Sequence, residues 1–257
     1  MKRFKAFLKR NEYTLTAVIF FIAVLAFWEL YVRIKKIEEY VFPALSDVAK
    51  ALGELLKDKS FYSRLASTLW RIALSLFWSI ALGALFGLIG GLNRYVKAIL
   101  KPFIALMKSI PVMAITLVLL LSFGGQSTPV IIGFLMAFPV IYSQTVYGIE
   151  SIDKDLVEIT DTMKGSVFDK TVRVYVPLMT PSFLQGLLVS GGLCIKAVIS
   201  AEIISRTVNS LGNAMFIAKA DMFEKTPELF AYCIVALVLT LLFELIVFAF
   251  KKLLIRW

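Results

Sequence analysis

Ionisable residues inside apolar runs are the first candidates for chemistry. A charge at the centre of a membrane helix costs about 2.5–3.5 kcal/mol on insertion scales. Glu29, Arg71 and Glu244 stand within a few residues of the ends of such runs, and Lys108 stands nearly two turns from one. These four can snorkel or pair. Lys196 lies deeper, with Glu202 just beyond the same run. Buried charges are usually paired, so the expectation for Lys196 is a carboxylate on another helix. The alternative is that it presents its charge to a passing anion. Six positions separate Lys196 from Glu202, which puts them on different helix faces. Nothing here forms a catalytic set. With no histidine in the chain, zinc sites and His-based acid–base work are disfavoured, and no metal site is expected. One stretch, GELLKDKS at 53–60, nearly fits a phosphate-binding loop. Asp58 fills the position that needs the second glycine, where a carboxylate repels phosphate. The chain is therefore expected to hold no nucleotide.

The elements that must position these residues follow from composition. The 257 residues are 59% hydrophobic with mean hydropathy +0.82, against ~45–50% apolar in soluble domains. The excess points to an integral membrane protein. Apolar residues run continuously rather than alternating, which excludes outer-membrane strands. The expected fold is all-α, with six transmembrane helices near 14–33, 68–90, 102–123, 129–148, 183–201 and 229–250 in a single domain, 1–257. The run 14–33 follows a basic stretch, but it is too long for a signal-peptide core and reads as a first span. Both cysteines, Cys194 and Cys233, fall inside apolar runs and read as packing residues.

The net charge is +10. With both termini inside, the inner segments carry fifteen Lys and Arg against nine outside, the bias expected of cytosolic loops. That places 149–182 in the cytosol. The outer segment 34–67 repeats Val48, Leu52, Leu55 and Leu56 at helical spacing and should hold a short interfacial helix. Ser75, Ser79, Gly83, Gly87 and Gly91 recur every four residues, a stripe that lets another helix approach closely, within or between subunits. Pro111 and Pro139 should kink spans three and four.

The segment 149–182 is the longest cytosolic insertion. Over 155–165, Leu156, Ile159 and Met163 can share one helix face, with Glu158, Asp161 and Thr162 on the other and Gly165 as a stop. A second short helix can start at Ser166. Pro177 and Pro181 should break the chain before the fifth span. Either the segment lies on the membrane or it docks on a cytosolic partner.

This segment resembles the cytosolic loop of ATP-binding-cassette importer permeases, in the branch that takes up sulfonates, taurine, nitrate and thiamine-precursor-like compounds. That loop reads Glu-Ala-Ala, three residues, Gly, nine residues, Ile-x-Leu-Pro. Here Glu158 stands nineteen residues before Pro177, and VYVP at 174–177 replaces the last motif. Ile159 and Thr160 replace the alanines, and Lys164 takes the glycine position, with Gly165 one residue later. The resemblance continues through FPALSDV (42–48), TLWR (68–71), IPVMA (110–114), FGGQS (123–127), FP (138–139), Glu202 and SLG (210–212), in that order.

The resemblance implies a type I importer permease in the bacterial cytoplasmic (inner) membrane, working as a homodimer. Cytosolic ATPase subunits would carry ATP and Mg, and an extracytoplasmic binding protein would deliver a small polar or anionic organic solute. This chain would need no cofactor and catalyse nothing covalent. Glu158, Ile159, Asp161, Thr162, Met163, Lys164, Gly165 and Pro177 would form the ATPase-coupling loop. Lys196, Glu202, Leu211 and Gly212 are the candidates for pathway or gate. The alternative is an ion-gradient-driven secondary transporter, which predicts internal repeats and mid-membrane polar groups. No clear repeat is visible.

Overall fold

The computed structural model describes residues 12–153, 155–156 and 166–254. These residues form helices and no strand. In chain order they are α1 (Glu12–Lys35), α2 (Leu45–Leu55), α3 (Lys59–Leu92), α4 (Arg94–Ser109) and α5 (Val112–Glu150). There follow α6 (Val167–Lys170), a π-helical turn (Thr171–Tyr175), α7 (Val176–Ser205), α8 (Leu211–Ala220) and α9 (Met222–Leu254). Among the described residues, five helices are long and apolar enough to cross a membrane. The longest, α5, has 39 residues, but Gly124 interrupts it with φ 75° and ψ 166°. A conformation at positive φ is one that glycine adopts at little cost. Helix α5 is therefore two limbs, and the second, beginning at Gly125, is itself long enough to span.

The expected third span, 102–123, is not one helix. It is divided between α4 and the first limb of α5 at Ile110 and Pro111, both in extended conformation. Pro111 disfavours the helical region for Ile110 and cannot continue the hydrogen-bond ladder. The expected kink is thus a full break. Asn93 starts α4 cleanly, its side chain accepting from the backbone N–H of Tyr95 and Val96 at 2.9 and 3.3 Å.

Contacts divide the chain into two units. One comprises Met1–Lys59 and Ile217–Cys233. Its described part is organised by aromatic packing. Trp28 of α1 donates from Nε1 to the Pro43 carbonyl at 3.1 Å and packs against Phe42 and Phe230. The expected short helix is α2, with Val48 and Leu55 buried. Glu29 and Arg33 pair at 2.5 Å, and Glu29 also accepts from Ser46 at the start of α2.

The other unit, Ser60–Phe216 and Ile234–Trp257, is built on the small-residue stripe. A Cβ on Gly83, Gly87 or Gly91 would fall 2.9, 2.6 and 2.6 Å from Ile141, Thr145 and Ile149. The constant offset makes α3 and the second limb of α5 parallel neighbours within one chain. Ser75 and Ser79 extend the seam, donating to the carbonyls of Val130 and Phe134. Helix α7 runs antiparallel to the same limb. Gly148 faces Met179 and Ser182, while Gly186 faces Gln144. Small residues let these backbones approach closely, which substitutes for the missing hydrophobic drive between helices in lipid. Gly191 of α7 is covered by the ring of Phe243 of α9. Cys194 is buried as a packing residue, whereas Cys233 is exposed.

Candidate functional site

Four of the sequence motifs converge on one buried carboxylate. Glu202, in the last turn of α7, is fully buried. Thr68 of α3 donates to both its oxygens at 3.1 and 3.0 Å. Arg71, one turn further along α3, donates from Nη1 to Oε1 at 3.1 Å. The backbone N–H of Gly212 reaches Oε2 at 3.1 Å. Thr68 also accepts from the N–H of Leu211 at 3.0 Å. One carboxylate thus joins α3, α7 and the first turn of α8.

The second guanidinium nitrogen of Arg71 extends the network, donating to Gln126 Oε1 at 2.9 Å and the Val208 carbonyl at 3.4 Å. Thr207 donates to the Gly125 carbonyl at 2.8 Å. Between α7 and α8 the chain turns through Arg206 and Asn209, both at positive φ. Asn209 is held there by hydrogen bonds with Ser63 and Ser67, and Ser210 caps α8 by accepting from the Asn213 N–H at 3.0 Å. Both oxygens of the buried carboxylate have partners, the condition under which such a charge is tolerated in a low dielectric. Gly212 is obligatory in this packing. A Cβ there would collide with that of Glu202 and lie 2.7 Å from the Ile199 carbonyl.

Of the other expected gate candidates, Leu211 joins this network through its backbone N–H, and Lys196 does not. Leu211 is buried beside the network. Lys196 is exposed on α7, between the buried Ile195 and Ala197. It makes no ion pair with a described residue, so the expected carboxylate partner is not found there. Of the other deep charges, Arg71 belongs to the Glu202 network and Lys108 donates to Ser143 at 2.8 Å. Glu244 is exposed.

Seven residues of the expected coupling loop, Glu158, Ile159, Asp161, Thr162, Met163, Lys164 and Gly165, lie outside the described residues. From Ser166 onward the chain enters α6 through a reciprocal cap with Asp169. Ser166 Oγ accepts from the Asp169 N–H at 3.1 Å, and the Asp169 carboxylate accepts from the Ser166 N–H at 3.2 Å. The expected second short helix is therefore present. The expected break at Pro177 and Pro181 is not. Both prolines sit within α7. The π turn before them, in which the Val176 N–H reaches the Thr171 carbonyl, accommodates the missing donor of Pro177 without ending the helix.

Sequence reasoning treats Arg71 as an end-of-span charge and Glu202 as a gate candidate, and does not join them. A signal is present in the Thr68–Arg71 spacing of one helical turn, but a partner 131 positions away leaves no periodic trace.

Comparison with known proteins fits this arrangement. Residues 79–257 match the family described as binding-protein-dependent transport system inner membrane component. Among curated proteins, the chain is 23% identical to a putative aliphatic sulfonates transport permease protein of Bacillus subtilis, covering 91% of this chain and 84% of that one. It is 29% identical to a formylaminopyrimidine transport permease protein of Halalkalibacterium halodurans, covering 76% and 77%. With a taurine transport system permease protein of Escherichia coli it shares 26% identity over 78% and 72% of the two chains.

Proposed function

The chain belongs to the binding-protein-dependent transport inner-membrane components and is a permease subunit of an ATP-binding-cassette importer; from that premise we propose how its helices couple ATP hydrolysis to solute movement. Such a permease is a multi-pass inner-membrane protein whose partners are an ATPase and a solute-binding protein. Two copies of this chain form the path, with both termini in the cytosol. Each copy offers residues 157–165 to one ATPase subunit, which carries ATP and Mg. The binding protein delivers solute to the opposite face.

Helix α7 is the observation that carries this reading. It runs for 30 residues, roughly 45 Å at 1.5 Å per residue. At one end it continues from the capped helix that follows the coupling loop. At the other it ends in the Glu202 network. A displacement of the docked loop therefore travels along one rigid element to α3 and α8. Coupling requires a contact that differs between two states, and the docked loop supplies it when the ATPases close. Glu202, Leu211 and Gly212 hold the far end of α7 so that the gate moves as a unit.

The solute is a small polar or anionic organic compound. Relatives named for aliphatic sulfonates, formylaminopyrimidine and taurine support that class. Lys196 supports its anionic part, as an exposed cation on the helix that moves.

Extraction in mild detergent tests the joint. Wild type is expected to bring a stoichiometric ATPase with it, and Glu158→Arg to lose it. An ATPase retained by the variant would place the contact elsewhere on the chain.

A further inference from the structure

A groove of about 360 Å³ lies between α4 and the second limb of α5, away from the Glu202 network and from Lys196. Lys97, Lys101 and Lys108 line it from α4. Their spacing of four and seven residues keeps all three on one helix face. Two are engaged: Lys97 pairs with Glu150, and Lys108 donates to Ser143. Lys101 is exposed and has no partner among the described residues. The lining thus carries three cations against one carboxylate.

Tyr142 lines the same groove. It is 5% exposed, and its hydroxyl is buried without a hydrogen-bond partner among the described residues. That hydroxyl packs against Gly90 of α3, so it takes no part in holding an occupant of the groove. Between the charged positions the wall is apolar, formed by Ile104 and Val146. Tyr147 of α5, which is 62% exposed, carries this wall outward.

The occupant must therefore offer acceptor oxygens with net negative charge, and an aliphatic part beside Ile104 and Val146. A zwitterionic lipid lacks the net charge, and a small aliphatic anion lacks the length to run from Lys97 and Lys101 along Ile104 and Val146 to the exposed Tyr147. We propose that this groove holds the headgroup of an anionic phospholipid. Lys97 and Lys101, one turn apart, grip the phosphate, and the chain continues along the apolar wall past the exposed Tyr147. The bound lipid ties α4 to α5 beside the break at Ile110.

The test uses the full chain in vesicles of phosphatidylcholine alone or mixed with phosphatidylglycerol. The readouts are retained lipid by native mass spectrometry and the Tm. Phosphatidylglycerol is expected to be retained over phosphatidylcholine and to raise the Tm. Lys101→Gln should weaken that preference about fivefold, the share of one lysine at an anionic surface. Lys101→Arg should keep it, and an unchanged Tm in phosphatidylcholine alone would show that the glutamine variant folds. In wild type, the preference should shrink as salt rises. Equal retention of the two lipids, or a preference unmoved by both salt and Lys101→Gln, would overturn the proposal. Protection by inorganic phosphate equal to that by the lipid would reassign the groove to a soluble anion and also overturn it.

Discussion

Arg71 and Glu202 lie 131 positions apart in sequence, yet they meet at 3.1 Å as a buried ion pair, the carboxylate fully enclosed. The pair fastens the end of α7 to α3, and Gln126 and Gly212 complete it. In the proposed transport cycle this fastening makes α7 a rigid link rather than a loose one.

Removing one partner should therefore be costly. Arg71→Met leaves the carboxylate buried with only Thr68 and the Gly212 N–H, and is expected to destabilise the chain by about 3–5 kcal/mol. Thermal unfolding in detergent should show a large fall in Tm. The double variant Arg71→Met/Glu202→Met should recover part of it, because no charge then remains unpaired. Strictly additive losses would mean that the two side chains do not interact as a pair.

Close helix packing makes a second prediction, with its own control. Gly87→Ala places a Cβ 2.6 Å from Thr145 across the α3–α5 seam and should cost about 1–3 kcal/mol by overpacking. A Cβ added to Gly53, inside α2, would meet nothing within 4 Å. Gly53→Ala should instead stabilise by about 0.5–1 kcal/mol, since alanine is the better helix former. The two Tm shifts should have opposite signs.

The stripe itself is legible from sequence because it is periodic: five small residues every fourth position can do little in a membrane except admit another helix. Apolar run length likewise reveals the membrane class and most of the spans. Two kinds of information are not legible. Helix continuity near proline depends on whether anything before it accommodates the ring and the lost donor. At Pro111 nothing does and the helix breaks, whereas at Pro177 a π turn does and the helix continues. Composition is the same in both cases. Long-range pairing is the other. Thr68, Arg71, Gln126, Glu202 and Gly212 each belong to a short, weak motif, and only their convergence explains why all are present.

Lys196 provides a third prediction. Its exposure on α7 makes it unnecessary for packing, so Lys196→Met should leave membrane abundance normal while reducing uptake of an anionic solute. Lys196→Arg should retain uptake. Unchanged uptake in the methionine variant would remove Lys196 from the pathway.

A fourth prediction concerns the start of α7. Pro177→Gly adds a backbone donor and loosens the first turn of the helix. It should lower the solute moved per ATP hydrolysed while leaving ATPase binding intact, because the joint remains but the link bends. Equal coupling ratios in wild type and variant, measured in reconstituted vesicles, would show that this turn is not under load.

The most direct measurement is uptake into proteoliposomes holding this permease, its ATPase and its binding protein, with ATP supplied on the ATPase side. Uptake is expected to require ATP hydrolysis and the binding protein, to be insensitive to ionophores, and to be lost in Glu158→Arg. Uptake that proceeds without ATP and collapses with an ion gradient would contradict ATP-driven coupling.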